Sequence, residues 1–105
     1  MKRGEIWLVP LDPTIGSEIR KTRPALIVSP DDMNDRLRTV IVSPLTSKAR
    51  PAAFRIAVQF EGRPGLILLD QTRTVAKERL RRQLGSVDAK VLAEVLAGLG
   101  AMFHF

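Results

Sequence analysis

The chain contains no cysteine and only one histidine, His104, among its 105 residues. Without thiols it can form neither disulfides nor thiolate metal sites. A single histidine also argues against a zinc site built from protein ligands alone. We therefore expect no metal and no cofactor.

Long hydrophobic runs are also missing, since no segment approaches the roughly 20 apolar residues that span a bilayer. Residues 1–3, Met-Lys-Arg, lead directly into an alternating pattern and not into the apolar region of a secretory signal. The sequence therefore predicts a cytoplasmic protein that does not enter membranes. Its length predicts one domain, residues 1–105.

Negative charge is scarce, with 11 Asp and Glu against 17 Lys and Arg and a formal net charge of +6. Such an excess favours a polyanionic partner, most often nucleic acid. Most of these cations are arginines, whose planar guanidinium binds phosphate through two parallel hydrogen bonds. The alternative is that the excess charge serves solubility alone.

Short strand patterns recur along the chain. A strand starts near residue 4 and ends at Pro10 or soon after, and the other apolar or alternating runs are 24–30, 39–44, 54–60 and 66–75. Five or six short strands without long helices between them predict a small, strongly curved antiparallel sheet, partly barrel-like.

Helical patterns are few. Apolar residues recur at helical spacing over 87–103, with Ser86 as the expected N-cap, and this helix should cover one opening of the sheet. Residues 31–37 could form a short helical turn capped by Asp31 or Asp32. Residues 76–84 could form a short basic helix, or a helix followed by a strand. The predicted class is mainly β with a C-terminal helix.

Polar side chains cluster where three of these strands begin or end. The clusters comprise Glu18, Arg20, Lys21 and Arg23, then Thr46 to Lys48, then Asp70, Gln71, Arg73 and Thr74. Each alone is compatible with ordinary turn chemistry. Together they offer hydroxyl, amide and guanidinium donors on rigid strand ends, which indicates an anion site. Pro24 keeps the preceding Arg23 extended.

Three segments of the chain carry a family resemblance: "RGEIWLVPLDPTIGSEIRKTRPALIVS", "TVIVSPLTS" and "GLILLDQTRTVAKERL". They resemble the MazF/PemK/Kid family of toxin–antitoxin ribonucleases. The resemblance implies a partly open SH3-like barrel of the Kid/CcdB type that forms a homodimer. It also implies a metal-independent endoribonuclease that cuts single-stranded RNA, including mRNA, at a short sequence. The products would be 2′,3′-cyclic phosphate and 5′-hydroxyl ends, and a cognate antitoxin would neutralise the enzyme.

The motifs of this family place functional positions at Glu18, Arg23, Thr46 and Arg73. We predict that Arg23 clamps the scissile phosphate, that Thr46 adds a hydroxyl donor, and that Glu18 orients Arg23 or accepts a proton. Relatives often carry an acidic residue where this chain has Ala76, so the general base stays open. The predicted RNA-binding residues are Ser17, Arg20, Ser47, Phe54, Gln71 and Arg73.

Two features of this assignment have alternatives. Phe54 could stack on a base or, because it alternates with Ile56, belong to the core. The whole chain could be a CcdB-like gyrase poison or an inert nucleic-acid-binding module. The pairing of "KTRP" with "PLTS" favours the nuclease, because a gyrase poison needs no phosphate clamp.

Overall fold

The computed structural model describes residues 1–12, 15, 16, 18 and 21–104, which form one curled antiparallel sheet and two helices. The predicted class, mainly β with a C-terminal helix, is confirmed. The strands are β1 (Glu5–Pro10), β2 (Thr22–Ile27), β3 (Thr39–Thr46), β4 (Arg55–Phe60), β5 (Arg63–Leu68), β6 (Arg73–Ala76) and β7 (Arg82–Ser86). The helices are α1 (Asp31–Arg36) and α2 (Ala89–Met102), with 3₁₀ turns at Leu69–Gln71 and Lys77–Arg79.

The sheet curls because β3 is long and pairs with two different strands along its length, first with β6 and then with β5. The strand order is β4-β5-β3-β2-β1-β7, and β6 pairs with β3 outside this path. The first half of β3, from Thr39 to Val42, pairs with β6. Its last two residues, Leu45 and Thr46, pair with β5 instead. The β4–β5 hairpin is thereby turned away from β6.

Strand alternation sends apolar side chains into two core clusters on opposite faces. One cluster joins β1, β2, β3 and β6 and is partly covered by Trp7. The other lies beneath α2 and includes Leu26, Ile67 and the fully buried Val95. At Gly98 the helix comes so close that a Cβ would lie 2.6 Å from Leu69 Cδ1. Helix α2 therefore covers one face of the sheet, as expected.

The predicted caps of both helices are wrong. Ser86 is the last residue of β7, paired with Glu5, so the chain is still extended there. Helix α2 is capped by Asp88, whose carboxylate accepts a 2.9 Å hydrogen bond from the Val91 amide. Helix α1 has no side-chain cap, because its N-cap residue is Pro30 and both Asp31 and Asp32 lie within the first turn. The Asp31 carboxylate accepts a 2.7 Å hydrogen bond from the Arg3 amide.

Residues 76–84 follow the second predicted alternative, a helical turn and then a strand. The 3₁₀ turn Lys77–Arg79 leads into β7, and the sheet has seven strands in the described residues where five or six were expected. Within those residues, neither helix combines the length and apolar character needed to cross a bilayer.

Candidate nucleic-acid interface

The candidate site lies where β2 and β3 separate. Their pairing runs from Ile27 opposite Val42 to Ala25 opposite Pro44. Pro24 and Pro44 have no amide hydrogen to continue the ladder. Beyond Pro44, β3 pairs with β5 and leaves the start of β2. The two strand ends therefore diverge, and a groove opens between them.

This groove has a volume of about 360 Å³, and two of the predicted catalytic residues border it. Arg23 enters from β2 and Thr46 from the last position of β3, with Ser47 beside it. Both Arg23 and Thr46 are half-buried, and Ser47 is exposed. Residues 23 and 46 are distant in sequence, and the antiparallel register of β2 and β3 brings them to neighbouring strand ends.

Thr46 keeps a donor available toward the groove. Its Oγ1 accepts a 3.2 Å hydrogen bond from the Lys48 amide. A hydroxyl that accepts one bond can still donate its own proton. The Lys48 amide therefore helps to fix the threonine side chain and leaves its O–H for a ligand.

The opposite wall of the groove is the β4–β5 hairpin, which supplies Val58, Phe60, Glu61, Arg63, Pro64 and Gly65. Gly65 lies against Thr46, and a Cβ at this position would come within 3.2 Å of the Thr46 carbonyl oxygen. The missing side chain lets β5 approach β3 closely and keeps the groove open next to the threonine.

The third predicted cluster, around Asp70, is bonded to other parts of the chain. Arg55 donates to both carboxylate oxygens of Asp70, at 3.2 and 3.0 Å, and to the Arg50 carbonyl at 2.9 Å. The hydrogen bond to Asp70 raises the pKa of the Arg55 guanidinium, against a smaller opposing effect of desolvation. Arg73 donates to the Leu11 carbonyl at 3.0 Å. Asp70 and Arg73 do not border the groove.

Comparison with known proteins identifies the family of the chain. Residues 2–103 match the family described as the PemK-like, MazF-like toxin of type II toxin–antitoxin systems. The chain belongs to this family.

Individual relatives cover nearly the whole chain. The endoribonuclease PemK of Escherichia coli is 42% identical over 97% of this chain and 81% of its own length. The crystal structure of MazF from Deinococcus radiodurans superimposes with a TM-score of 0.85, at 31% identity, over 97% of this chain and 94% of its own. A MazE–MazF crystal structure from the same organism gives 0.80, at 27% identity, over 100% and 96% of the two chains.

The first polar cluster is only partly described. Ser17 and Arg20 lie outside the described residues. Glu18 is exposed and does not border the groove. Its Oε1 accepts a 2.5 Å hydrogen bond from the Ile15 amide, while its own amide donates to the Ile15 carbonyl at 3.3 Å. The carboxylate thus closes a turn within its own loop.

The remaining predicted RNA-binding residues lie away from this groove. Gln71 is half-buried in the 3₁₀ turn that follows β5. Phe54 precedes β4, has a positive φ of 63° and is 41% exposed. It is absent from both core clusters, so the core alternative for Phe54 is wrong.

The sequence interpretation missed the β4–β5 wall of the groove. Residues 61–65, "EGRPG", have the composition of a turn, and their charges gave no reason to join them to Arg23. The sequence feature that could have indicated this wall is the presence of two charged residues in so short a turn. Their place opposite Arg23 depends on the curl of the sheet.

Proposed function

We propose that this chain is an endoribonuclease toxin that cleaves single-stranded RNA, such as mRNA, at a short sequence and without a metal ion. The observation that carries this proposal is that Arg23 and Thr46 border one groove. Membership of the family and similarity to named endoribonucleases support the same activity. The net charge of +6 suits a polyanionic substrate.

The proposed reaction is a transesterification within the RNA itself. The ribose 2′-oxygen attacks the adjacent phosphorus as it loses its proton, and the bond from phosphorus to the 5′-oxygen breaks. The leaving oxygen takes up a proton. The products are a 2′,3′-cyclic phosphate and a 5′-hydroxyl, so no water is consumed in this step.

In this proposal Arg23 stabilises the negative charge that builds on the phosphate oxygens. A guanidinium suits this task because it stays protonated and offers several donors in one plane. Pro24 favours an extended backbone at Arg23, which reduces the conformational freedom of the clamp. The Thr46 hydroxyl donates to the same oxygens, and donors fixed before the reaction need no reorganisation during it.

The 2′-hydroxyl also needs a proton acceptor. Glu18 stays the predicted acceptor or a residue that orients Arg23, although its carboxylate is bonded to the Ile15 amide. Ser47, which borders the groove, is proposed to contact the RNA next to the scissile phosphate. Ser17, Arg20, Phe54, Gln71 and Arg73 stay predicted RNA-binding residues. Phe54, Gln71 and Arg73 do not border this groove, so we propose that they contact RNA elsewhere on the chain or through the second subunit of a homodimer.

An antitoxin is the expected protein partner. The MazE–MazF crystal structure is of a relative bound to a partner protein, and the family is defined by toxin–antitoxin systems. We propose that a cognate antitoxin neutralises this chain, that the toxin acts as a homodimer, and that it acts in the cytoplasm.

The decisive experiment incubates the purified protein with a long RNA in the presence of EDTA and maps the RNA ends. Discrete cuts with 5′-hydroxyl ends would support the proposal. Intact RNA together with inhibited DNA gyrase would favour a gyrase poison. RNA that is bound, as shown by slower migration in a native gel, but not cut would favour an inert binding module.

A further inference from the structure

The β4–β5 hairpin contributes two charged side chains to the groove that the phosphate clamp does not use. Glu61 and Arg63 lie on either side of Gly62 and border the groove opposite Arg23 and Thr46. Both side chains are exposed. In the described part of the chain neither has a hydrogen-bond or ion-pair partner, so both can bind a ligand without breaking an internal contact.

The backbone at Glu61 is unfavourable for glutamate. Glu61 and Gly62 connect β4 to β5 with positive φ angles of 52° and 75°. A two-residue hairpin loop of this kind strongly prefers Asn or Asp before Gly. A residue that breaks a local preference of this kind is often kept for function. We therefore expect the Glu61 side chain to have a role other than forming the turn.

A carboxylate in this groove is unsuited to contact the RNA backbone. It repels phosphate, whereas Arg23 attracts it. What a carboxylate can accept is a hydrogen bond from a base, above all from an exocyclic amino group. Arg63 offers the complementary donors and could bind a ring nitrogen or carbonyl on the same base edge.

The four bases differ in how well they can form hydrogen bonds with both Glu61 and Arg63. Adenine, cytosine and guanine each present an amino group, whereas uracil presents the acceptor oxygens O2 and O4 on both sides of a single N–H. A carboxylate can accept only the single N3–H of uracil, and its oxygens then lie next to O2 and O4, whose negative partial charges oppose the contact. Rejection of a wrong partner by repulsion is a general source of specificity.

We propose that Glu61 and Arg63 read one base beside the scissile phosphate, accept a base that carries an exocyclic amino group, and reject uracil. This inference rests on the proposed ribonuclease function and adds a specificity-determining role for the hairpin. The occupant is a nucleotide of the substrate RNA, held between the hairpin and the Arg23 side of the groove.

The test is cleavage of a randomised RNA pool followed by sequencing of the cut ends. Wild-type protein should exclude uracil at one position near the cut. Glu61→Gln replaces an acceptor-only group with an amide that can donate to O4 of uracil. The fraction of cuts that carry uracil at this position should therefore rise by roughly fivefold or more. Arg63→Gln should weaken the preference at the same position.

Two further variants guard against effects on folding. Glu61→Asn also removes the carboxylate but supplies a residue that favours positive φ, so the hairpin should form at least as readily. It should also admit uracil. Glu78→Gln is the matched control, because Glu78 is exposed in the 3₁₀ turn after β6 and does not border the groove. Its cleavage pattern should equal that of the wild type.

The outcomes separate this inference from the proposed function. If the wild type cuts nothing, the ribonuclease proposal fails. If it cuts but tolerates uracil at every position near the cut, base reading by the hairpin is overturned. Base reading is also overturned if the Glu61 variants change only the overall cleavage rate. It is overturned too if Arg63→Gln only lowers the salt dependence of RNA binding, as loss of a phosphate contact would.

Discussion

At the end of β3, Thr46 and Ser47 border an open groove, whereas around the start of β6 the polar side chains are bonded to the rest of the chain. Both clusters follow apolar strands and contain hydroxyl side chains. The difference comes from their neighbours. Thr46 lies where β2 and β3 have separated, while Asp70 and Thr72 face Arg55 and Ser43 on adjacent segments.

The comparison teaches that a polar strand end can form a site where neighbouring strands separate and leave it beside an open groove. In the "DQTRT" cluster, Thr72 is hydrogen-bonded to Ser43 of β3 and Asp70 to Arg55 of β4. Arg73 donates to the Leu11 carbonyl, at the start of the loop after β1. We expect Thr46 and Ser47 to govern activity, and the hydrogen bonds of Asp70 and Thr72 to govern stability. Substitutions in the two clusters should therefore have separable effects.

The largest effect is expected for Arg23→Ala. Loss of the phosphate clamp should lower kcat/KM for RNA cleavage by about 10²- to 10³-fold, the usual result of removing one donor that stabilises a charged transition state. Arg81→Ala, at an exposed position away from the groove, is the matched control. The measurement is the initial rate on a short RNA, with circular dichroism to verify folding. Near wild-type cleavage by a folded Arg23→Ala protein would exclude the clamp.

A smaller loss of activity is expected for Thr46→Val, which removes the hydroxyl and keeps the shape of the side chain. Since Arg23 remains, kcat should fall by roughly tenfold, a loss of about 1.4 kcal/mol in transition-state stabilisation. Single-turnover cleavage separates this effect from RNA binding. An unchanged single-turnover rate would show that the hydroxyl does not contact the reacting phosphate.

Thr72→Val tests the opposite half of the comparison. The Ser43 hydroxyl is fully buried and lies 2.6 Å from Thr72 Oγ1. Removing one partner of a buried hydrogen bond should lower the free energy of unfolding by about 1–3 kcal/mol. The double variant Ser43→Ala/Thr72→Val should recover part of this loss. Urea denaturation measures stability, and a cleavage rate that falls together with stability would contradict the division into two clusters.

The smallest expected effect concerns Glu5, another side chain that is bonded internally. Its Oε1 accepts 2.9 Å hydrogen bonds from the Trp7 indole and the Lys2 amide. Partial burial acts to raise the pKa of Glu5, but these hydrogen bonds and nearby positive charge lower it below its ordinary value of 4.5. Because the folded-state pKa is the lower one, this stabilisation is present above the unfolded-state pKa and is lost as pH falls through the folded-state pKa.

Glu5→Gln should therefore flatten the loss of stability in acid. The measurement is the free energy of unfolding from neutral pH to below the ordinary pKa of 4.5, compared with that of the wild type. Parallel curves for the two proteins would show that Glu5 contributes nothing to acid sensitivity.

The sequence by itself determined the class of the fold and the family, because both depend on local patterns. Strand alternation around Ile6 and Ile56, the helical spacing over 87–103 and the "KTRP" and "PLTS" motifs can all be read along the chain. Caps were less predictable. Ser86 and Asp88 are both good cap residues, and the extent of β7 decides between them.

Only the tertiary structure decided which polar residues share a site. The groove depends on the curl of the sheet, on the β2–β3 ladder that stops at Pro44, and on a hairpin that brings Glu61 to the wall opposite Arg23. These are relations between residues far apart in the chain, and strand pairing, not local propensity, sets them. For the same reason Asp70, similar in sequence context to Thr46, is paired with Arg55.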